Sequence, residues 1–296
     1  MGEMQMLKET SLYAESWNVA WREKSVGSIL KDTETEFRVI KNSFKYWAAD
    51  PFLFEHVGKT YIFAELYDYV KCRGCLGYYE LSSSHPRWKK IIEEEYHLSY
   101  PYIFETKEGI FIMPESGANK DLTLYRAVSF PDKWEKISVL RSGIQYGDTT
   151  PFEWNNHKYA LAYDVETTEY KLILLDLQCG EKADREIFCS NINCRRPAGA
   201  TFLSEDKWIR PAQNCENGYG KGLCFYEIHM NEQGEYFEEI RNLLLPGQLN
   251  FSKKIYLDGM HTYNASEEYE VIDIKTRRFN ILNFMFRLLG KVRRKG

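Results

Sequence analysis

The stretch AADPFLFEHVGKTYIFAE, residues 48–65, decides the fold, because the chain repeats its plan four more times. The later copies read LSYPYIFETKEGIFIMPE at 98–115, YGDTTPFEWNNHKYALAYD at 146–164, RRPAGATFLSEDKWIRPAQ at 195–213 and a degenerate DGMHTYNASEEYEVIDI at 258–274. In each copy a small or polar entry leads into a short aromatic strand. A polar turn such as HVGK, TKEG or WNNHK follows, and a second strand rich in Tyr, Ile, Phe or Leu returns. The turns are short and carry Gly, Asn or Lys, as hairpin connections require. Between the copies lie further strand-like runs, CLGYYELS, LTLYRAV, KLILLDL and LCFYEIHM. A period of about 50 residues with about four strands per copy marks propeller blades. The expected fold is all-β, a five-bladed β-propeller over residues 1–274. The N-terminal segment has the strand-like patches SLYAESWNVAWREK and EFRVIKN, and residues 12–40 are expected to contribute to closing the ring. Leucine-rich and helical repeats are absent, and a sandwich would not explain the regular period.

Composition agrees. Of 296 residues, 44% are hydrophobic and 15% aromatic, enough for one large core and biased toward strands. The net charge is −4, yet the segment from Lys275 onward holds eight basic residues and no acid, so the body is acidic and the tail basic. An acidic body excludes nucleic acid as a partner. The seven Cys are scattered, and Cys72-x-x-Cys75 lacks the second pair or nearby histidines that a zinc site needs. The opening MGEMQMLKET has no signal-peptide pattern, which fits a reducing cytoplasm. In the tail, residues 281, 282, 285, 288, 289 and 292 are apolar at helical spacing. Residues 275–296 are therefore expected to form a short basic amphipathic helix, either lying on the inner face of an anionic membrane or docked on the propeller.

Blade geometry turns the repeat into a list of site residues. The innermost strand starts at one rim of the central channel and the next strand returns to that rim. Polar residues at those two places share one funnel. Blade one offers Asp50 and Glu65; blade two, His97, Tyr100 and Glu115; blade three, Asp148 and Asp164. Blade four offers Arg195, Arg196, Arg210 and Gln213; blade five offers His261, with Thr262 and Asn264 close behind. Glycosyl chemistry needs a carboxyl group on each side of the anomeric carbon. Asp50, Glu115 and Asp148 are the expected catalytic groups. Glu65, His97, Tyr100, Arg195, Arg196, Arg210, Gln213 and His261 are expected to bind substrate. No metal ligand set is assigned, although the central channel leaves room for a Ca²⁺. The motifs GxSxG, GxxxxGK[ST] and HExxH are missing, and NGYGKG at 217–222 does not follow the dinucleotide pattern and reads as a loop after blade four's second strand.

Taken together, ADPFLFE, HLSYPYIFE, MPES, LYRAVSFPDKW, DTTPFE, RPAGATF and RPAQNCENGYG give residues 45–265 a resemblance to a known family. The chain resembles the glucosamine inositolphosphorylceramide transferase N-terminal domain family, whose fold is similar to five-bladed arabinanase and β-xylosidase glycosidases. The resemblance implies a carbohydrate ligand and matches Asp50 to the blade-one general base of those glycosidases. It departs from them in the second and third blades, where Tyr100, Glu115 and Asp148 stand. Three readings follow. The chain is a glycosyltransferase or a component of one in cell-surface polysaccharide or glycolipid synthesis, a glycoside hydrolase, or a non-catalytic glycan-binding propeller. Its expected partner is a sugar, a sugar nucleotide or a lipid-linked glycan.

Overall fold

A computed structural model describes residues 13–24, 28–166, 171–178, 181–189, 191–253 and 257–279. The chain enters through β1 (Tyr13–Glu23), a one-turn helix α1 (Ser28–Lys31) and β2 (Arg38–Val39). Four four-stranded blades follow in sequence. Blade one is β3 (Tyr46–His56), β4 (Lys59–Asp68), β5 (Arg73–Glu80) and β6 (Lys89–Ile92). Blade two is β7 (Ser99–Thr106), β8 (Gly109–Glu115), β9 (Asp121–Ser129) and β10 (Lys133–Ser142). Blade three is β11 (Tyr146–Trp154), β12 (His157–Asp164), β13 (Leu172–Asp176) and β14 (Arg185–Ile187). Blade four is β15 (Phe202–Ser204), β16 (Lys207–Asn214), β17 (Gly222–Met230) and β18 (Tyr236–Leu244). The fifth blade is composite: β19 (Tyr263–Ala265) and β20 (Tyr269–Phe279) pair with β1 and β2 in the order β19-β20-β1-β2. The molecule is an all-β five-bladed propeller, as the repeat predicts.

Each blade is covered on both faces by its neighbours, which explains near-continuous apolar strands such as LILLD and LCFYEI. The core accordingly divides into clusters between blades. Phe52, Phe63, Tyr78, Ile112 and Tyr125 pack between blades one and two, and Met113, Leu122, Ala160 and Ile173 between two and three. Val19, Ile62, Ala64 and Val271 fill the seam between blade five and blade one.

Ring closure rests on β1 and β20, which pair antiparallel over eleven positions, from Tyr13 opposite Phe279 to Glu23 opposite Tyr269. A buried ion pair locks the seam. Arg22 Nε lies 2.7 Å from Glu270 Oε2, while Glu270 Oε1 accepts from the Ile29 N–H at 2.7 Å and the Tyr263 hydroxyl at 2.6 Å. The rest of the Arg22 guanidinium donates to the carbonyls of Thr35 and Asp32 and stacks over Phe37. One charge pair thus fastens α1 and the following turn to the last blade.

The expected boundary at residues 274/275 falls inside β20. Lys275–Phe279 are strand rather than helix because β1 continues opposite them, and Lys275 Nζ pairs with Glu15 at 2.8 Å. The helical positions 281–292 lie outside the described residues. Among the described residues, no helix is long and apolar enough to cross a membrane.

Removing one partner of a buried, hydrogen-bonded ion pair strands the other charge. Glu270→Ala is therefore expected to lower the unfolding free energy in urea by about 3–5 kcal/mol. Glu15→Ala, at the partly exposed partner of Lys275, should change it by under about 1 kcal/mol.

Candidate functional site

The inner strands of blades one, two and three break register at the same place: between Ala49 and Phe52, between Ser99 and Tyr102, and between Gly147 and Thr150. Each break holds a non-glycine residue with left-handed backbone, Asp50 (φ 51°), Tyr100 (φ 47°) and Asp148 (φ 49°). Such residues are costly and persist where the surroundings hold them. Here each turned amide donates to a carboxylate. Asp50 N–H reaches Asp273 Oδ2 at 3.0 Å, Tyr100 N–H reaches Asp50 Oδ2 at 3.2 Å, and Asp148 N–H reaches Glu115 Oε2 at 3.0 Å. The second strands bring the facing residues. Glu65 lies opposite Ala49, Glu115 opposite Ser99 and Tyr163 opposite Gly147. In blade four the Gln213 N–H donates to the Arg196 carbonyl, and in blade five the Asp273 N–H donates to the Thr262 carbonyl.

Three linked groups result. Around Asp148, the Arg196 Nε donates to Oδ2, Gln213 Nε2 donates to the same oxygen at 2.7 Å, and Arg196 Nη2 reaches Glu115 Oε2 at 3.1 Å. Around Asp50, Oδ1 accepts from the Thr262 hydroxyl at 2.9 Å, and His261 Nδ1 lies 2.6 Å from Asp273 Oδ2 and 3.7 Å from Asp50 Oδ1. The His261 ring stacks on Trp17 at 3.9 Å. The third group joins Glu65 to His97. Gly74 N–H donates to His97 Nδ1 at 2.9 Å, which leaves the imidazole proton on Nε2, 3.4 Å from Glu65 Oε1. Gly74 is needed there, since a Cβ would lie 2.4 Å from Glu65 Oε1 and from the Leu98 carbonyl oxygen.

Crowding of buried carboxylates sets their acidity. Burial pushes Asp148 up to about 7, with Glu115 adding and Arg196 opposing. Burial likewise pushes Asp50 up to about 6, against the pull of His261 and with Asp148 and Asp273 adding. Glu65 is held well above the usual carboxylate range, first by burial and then by Asp50, Glu115, Asp273 and Asp148. Burial opposes a charge on His261, but Asp273 and Asp50 outweigh it and its pKa is raised. Burial and then Arg196 bring His97 down to about 4, so it is neutral near pH 7.

Ligand atoms of Asp50, His261 and Asp273 lie within 4.8 Å of one another. Calcium takes six to eight oxygens. Each carboxylate oxygen of this trio already accepts a hydrogen bond, and Nδ1 of His261 faces Asp273. The donor set fits a hydrogen-bonded ion pair and does not fit a Ca²⁺ shell.

The structure thus brings together Asp50, Glu65, His97, Glu115, Asp148, Arg196, Gln213 and His261. It separates others. The Tyr100 backbone is in the funnel, but its buried hydroxyl is held by Thr150 Oγ1 and Gly199 N–H, both at 2.7 Å, so it packs the blades instead of facing a ligand. Arg210 is fully buried against Glu238 and Tyr226, because strand alternation turns it away from the face of Gln213. Arg195 offers its carbonyl to Arg210, while its neighbour Arg196 takes the carboxylates. Asp164 lies opposite Tyr146 and caps the Glu166 N–H, one residue beyond the funnel position that Tyr163 fills. Asn264 stitches the Ala200 N–H to the Pro51 carbonyl. Sequence reasoning missed Asp273, although it stands in the fifth copy where Glu65 and Glu115 stand in theirs. It also missed Trp17 and Gly74, which lie outside the repeats.

Residues 15–254 match the model of the family described as glucosamine inositolphosphorylceramide transferase 1, N-terminal. The chain is 27% identical over 212 residues to glucosamine inositolphosphorylceramide transferase 1 of Oryza sativa subsp. indica, covering 67% of this chain and 28% of that protein. To the Arabidopsis thaliana protein of the same name it is 26% identical over 251 residues, covering 77% and 30%. The chain therefore spans under a third of the length of these relatives. Among solved structures, the α-L-arabinofuranosidase of Lactobacillus brevis aligns over 68% of this chain and 80% of its own with a TM-score of 0.50 at 14% identity, a likeness of fold.

Because Asp148 binds its proton more tightly folded (about 7) than unfolded (3.8), its contribution to stability is present below pH 4 and is lost as pH rises through 7. The unfolding free energy of the wild type relative to Asp148→Asn is expected to fall across that window in urea titrations. Parallel profiles would show that Asp148 ionises normally.

Proposed function

The chain belongs to the glucosamine inositolphosphorylceramide transferase 1 N-terminal family, and from that premise we propose that it is a carbohydrate-active propeller, acting in sugar transfer to a glycolipid or cell-surface polysaccharide. The observation that carries this reading is the split in acidity among carboxyls sharing one funnel. Asp50 (about 6) is mostly ionised near neutral pH, while burial and the neighbouring carboxylates hold Glu65 well above the usual carboxylate range. Transfer of a glycosyl group between oxygens needs both forms at once, a base for the incoming hydroxyl and an acid for the departing oxygen. Asp50 is the base in this reading, steadied by His261 and Thr262. Glu65 is the acid, with the neutral His97 Nε2–H beside it. Asp148 and Glu115, gripped by Arg196, orient sugar hydroxyls and hold Arg196 across the funnel from Asp50. The basic residues of 275–296 are proposed to keep the protein at the inner face of an anionic membrane, where a lipid-linked acceptor would lie.

Hydrolysis would use the same groups with water as the acceptor, so product analysis separates the two. Purified protein incubated with nucleotide sugars and inositol-phosphate lipids should yield a glycosylated lipid detectable by mass spectrometry. Asp50→Asn should slow it by about 100-fold or more. Release of free sugar alone would favour a hydrolase. Saturable sugar binding without turnover, unchanged in both Asp50→Asn and Glu65→Gln, would leave a glycan-binding propeller and end the catalytic reading.

A further inference from the structure

The Gly218-Tyr219-Gly220 stretch, after β16, lies against the funnel residues Arg196 and His261 and has no part in the chemistry above. Both glycines have left-handed φ, 117° and 63°. Gly220 meets a second demand, because a Cβ there would lie 2.9 Å from the Trp17 ring and 3.2 Å from His261 Cβ. The loop is pinned at both ends. Cys215 N–H donates to the Asn193 carbonyl at 2.9 Å and Lys221 N–H to the Asn214 carbonyl at 3.0 Å. The Lys221 ammonium donates to Asp258 Oδ1 at 2.8 Å, and a backbone bridge joins Lys221 to Met260 of the fifth blade. A short loop, seated on the Trp17–His261 stack, therefore raises a single aromatic ring between blades four and five.

That ring remains 44% exposed. His261 and Trp17 meet it in edge-on contacts, with ring centroids 5.2 and 6.3 Å away and planes at 75°. Arg196 Cζ and Lys275 Nζ lie over the ring, 5.4 and 5.9 Å from its centroid. Burial holds the Tyr219 pKa well above the usual tyrosine value; Arg196 opposes this, and Asp148, Asp50 and Glu115 add to it. Core packing would have hidden the whole ring, and a solvated loop would not need a left-handed glycine wedged against Trp17 and His261. A half-exposed aromatic beside the Arg196 guanidinium and the His261 ring is the arrangement that receives a flat, amphipathic ligand.

We propose that Tyr219 is the platform on which the sugar ring lies, selecting pyranoses that present an apolar C–H face to it. The inference rests on the reading of the funnel as a sugar site and deepens it by naming the face that is recognised. The test uses the full chain with glucosamine as the probe, by saturation-transfer NMR and titration, on the wild type, Tyr219→Phe, Tyr219→Ala, Gly220→Ala and Asp50→Asn, with thermal melts as a folding control. Tyr219→Phe should bind within about two-fold of the wild type, since it keeps the ring. Tyr219→Ala should weaken binding about ten-fold or more and erase the saturation of the sugar C–H protons. Gly220→Ala, which keeps the tyrosine but displaces the loop, should share that loss. Unchanged affinity in Tyr219→Ala alongside weakened binding in Asp50→Asn would overturn the platform and leave the sugar site standing. Glucosamine binding that is absent in the wild type, or indifferent to both residues, would overturn the platform and the sugar site together.

Discussion

The funnel stands on one backbone constraint stated three times: a non-glycine residue forced to positive φ inside a bulge of the innermost strand. Without the turn at Asp50, Tyr100 and Asp148, the inner strands would pair straight through and their amides would face the neighbouring strand. With it, each amide points into the channel and finds a carboxylate from the adjacent blade. Bulges of this kind re-aim side chains at functional rims. The strain and the acidic cluster sustain each other, since the turned amides solvate charges that would otherwise be expelled, and the charges hold the amides turned.

That mutual support also explains the acidity of the site. Burial pushes Asp50, Glu65 and Asp148 up, neighbouring carboxylates add to this, and His261 at Asp50 and Arg196 at Asp148 oppose it. Asp273 has three backbone N–H partners and Glu65 has none aligned with its Oε1. Burial is the largest influence on Asp50, Glu65 and Asp148 alike.

Much of the architecture could be read from the repeat, because blade strands are short, aromatic and evenly spaced, and because a polar residue ahead of Pro51 or Pro101 marks the start of an inner strand. Asp50 and Asp148 were legible for the same reason, as were Glu65 and Glu115 at the far end of the returning strand. Arg210 was misjudged because charge type was read without strand parity, three residues from Gln213 and on the opposite face. Tyr100 was misread because its backbone and its hydroxyl do different work. Trp17 and Gly74 gave no local signal. The first reaches the site only because β1 joins the last blade, and the second only because His97 packs against its amide. Contacts made by closing a ring are invisible to periodicity.

The eleven-pair seam between β1 and β20 has a topological consequence. Tyr13 and Phe279 are neighbours in one ladder, so β1 begins and β20 ends side by side in the middle of the fifth blade. Such a module can be spliced into a longer architecture like a bead on a looped thread, without stretching its host. Its mouth then keeps a fixed bearing relative to that anchorage, and whatever is tethered there determines which surface the funnel looks toward.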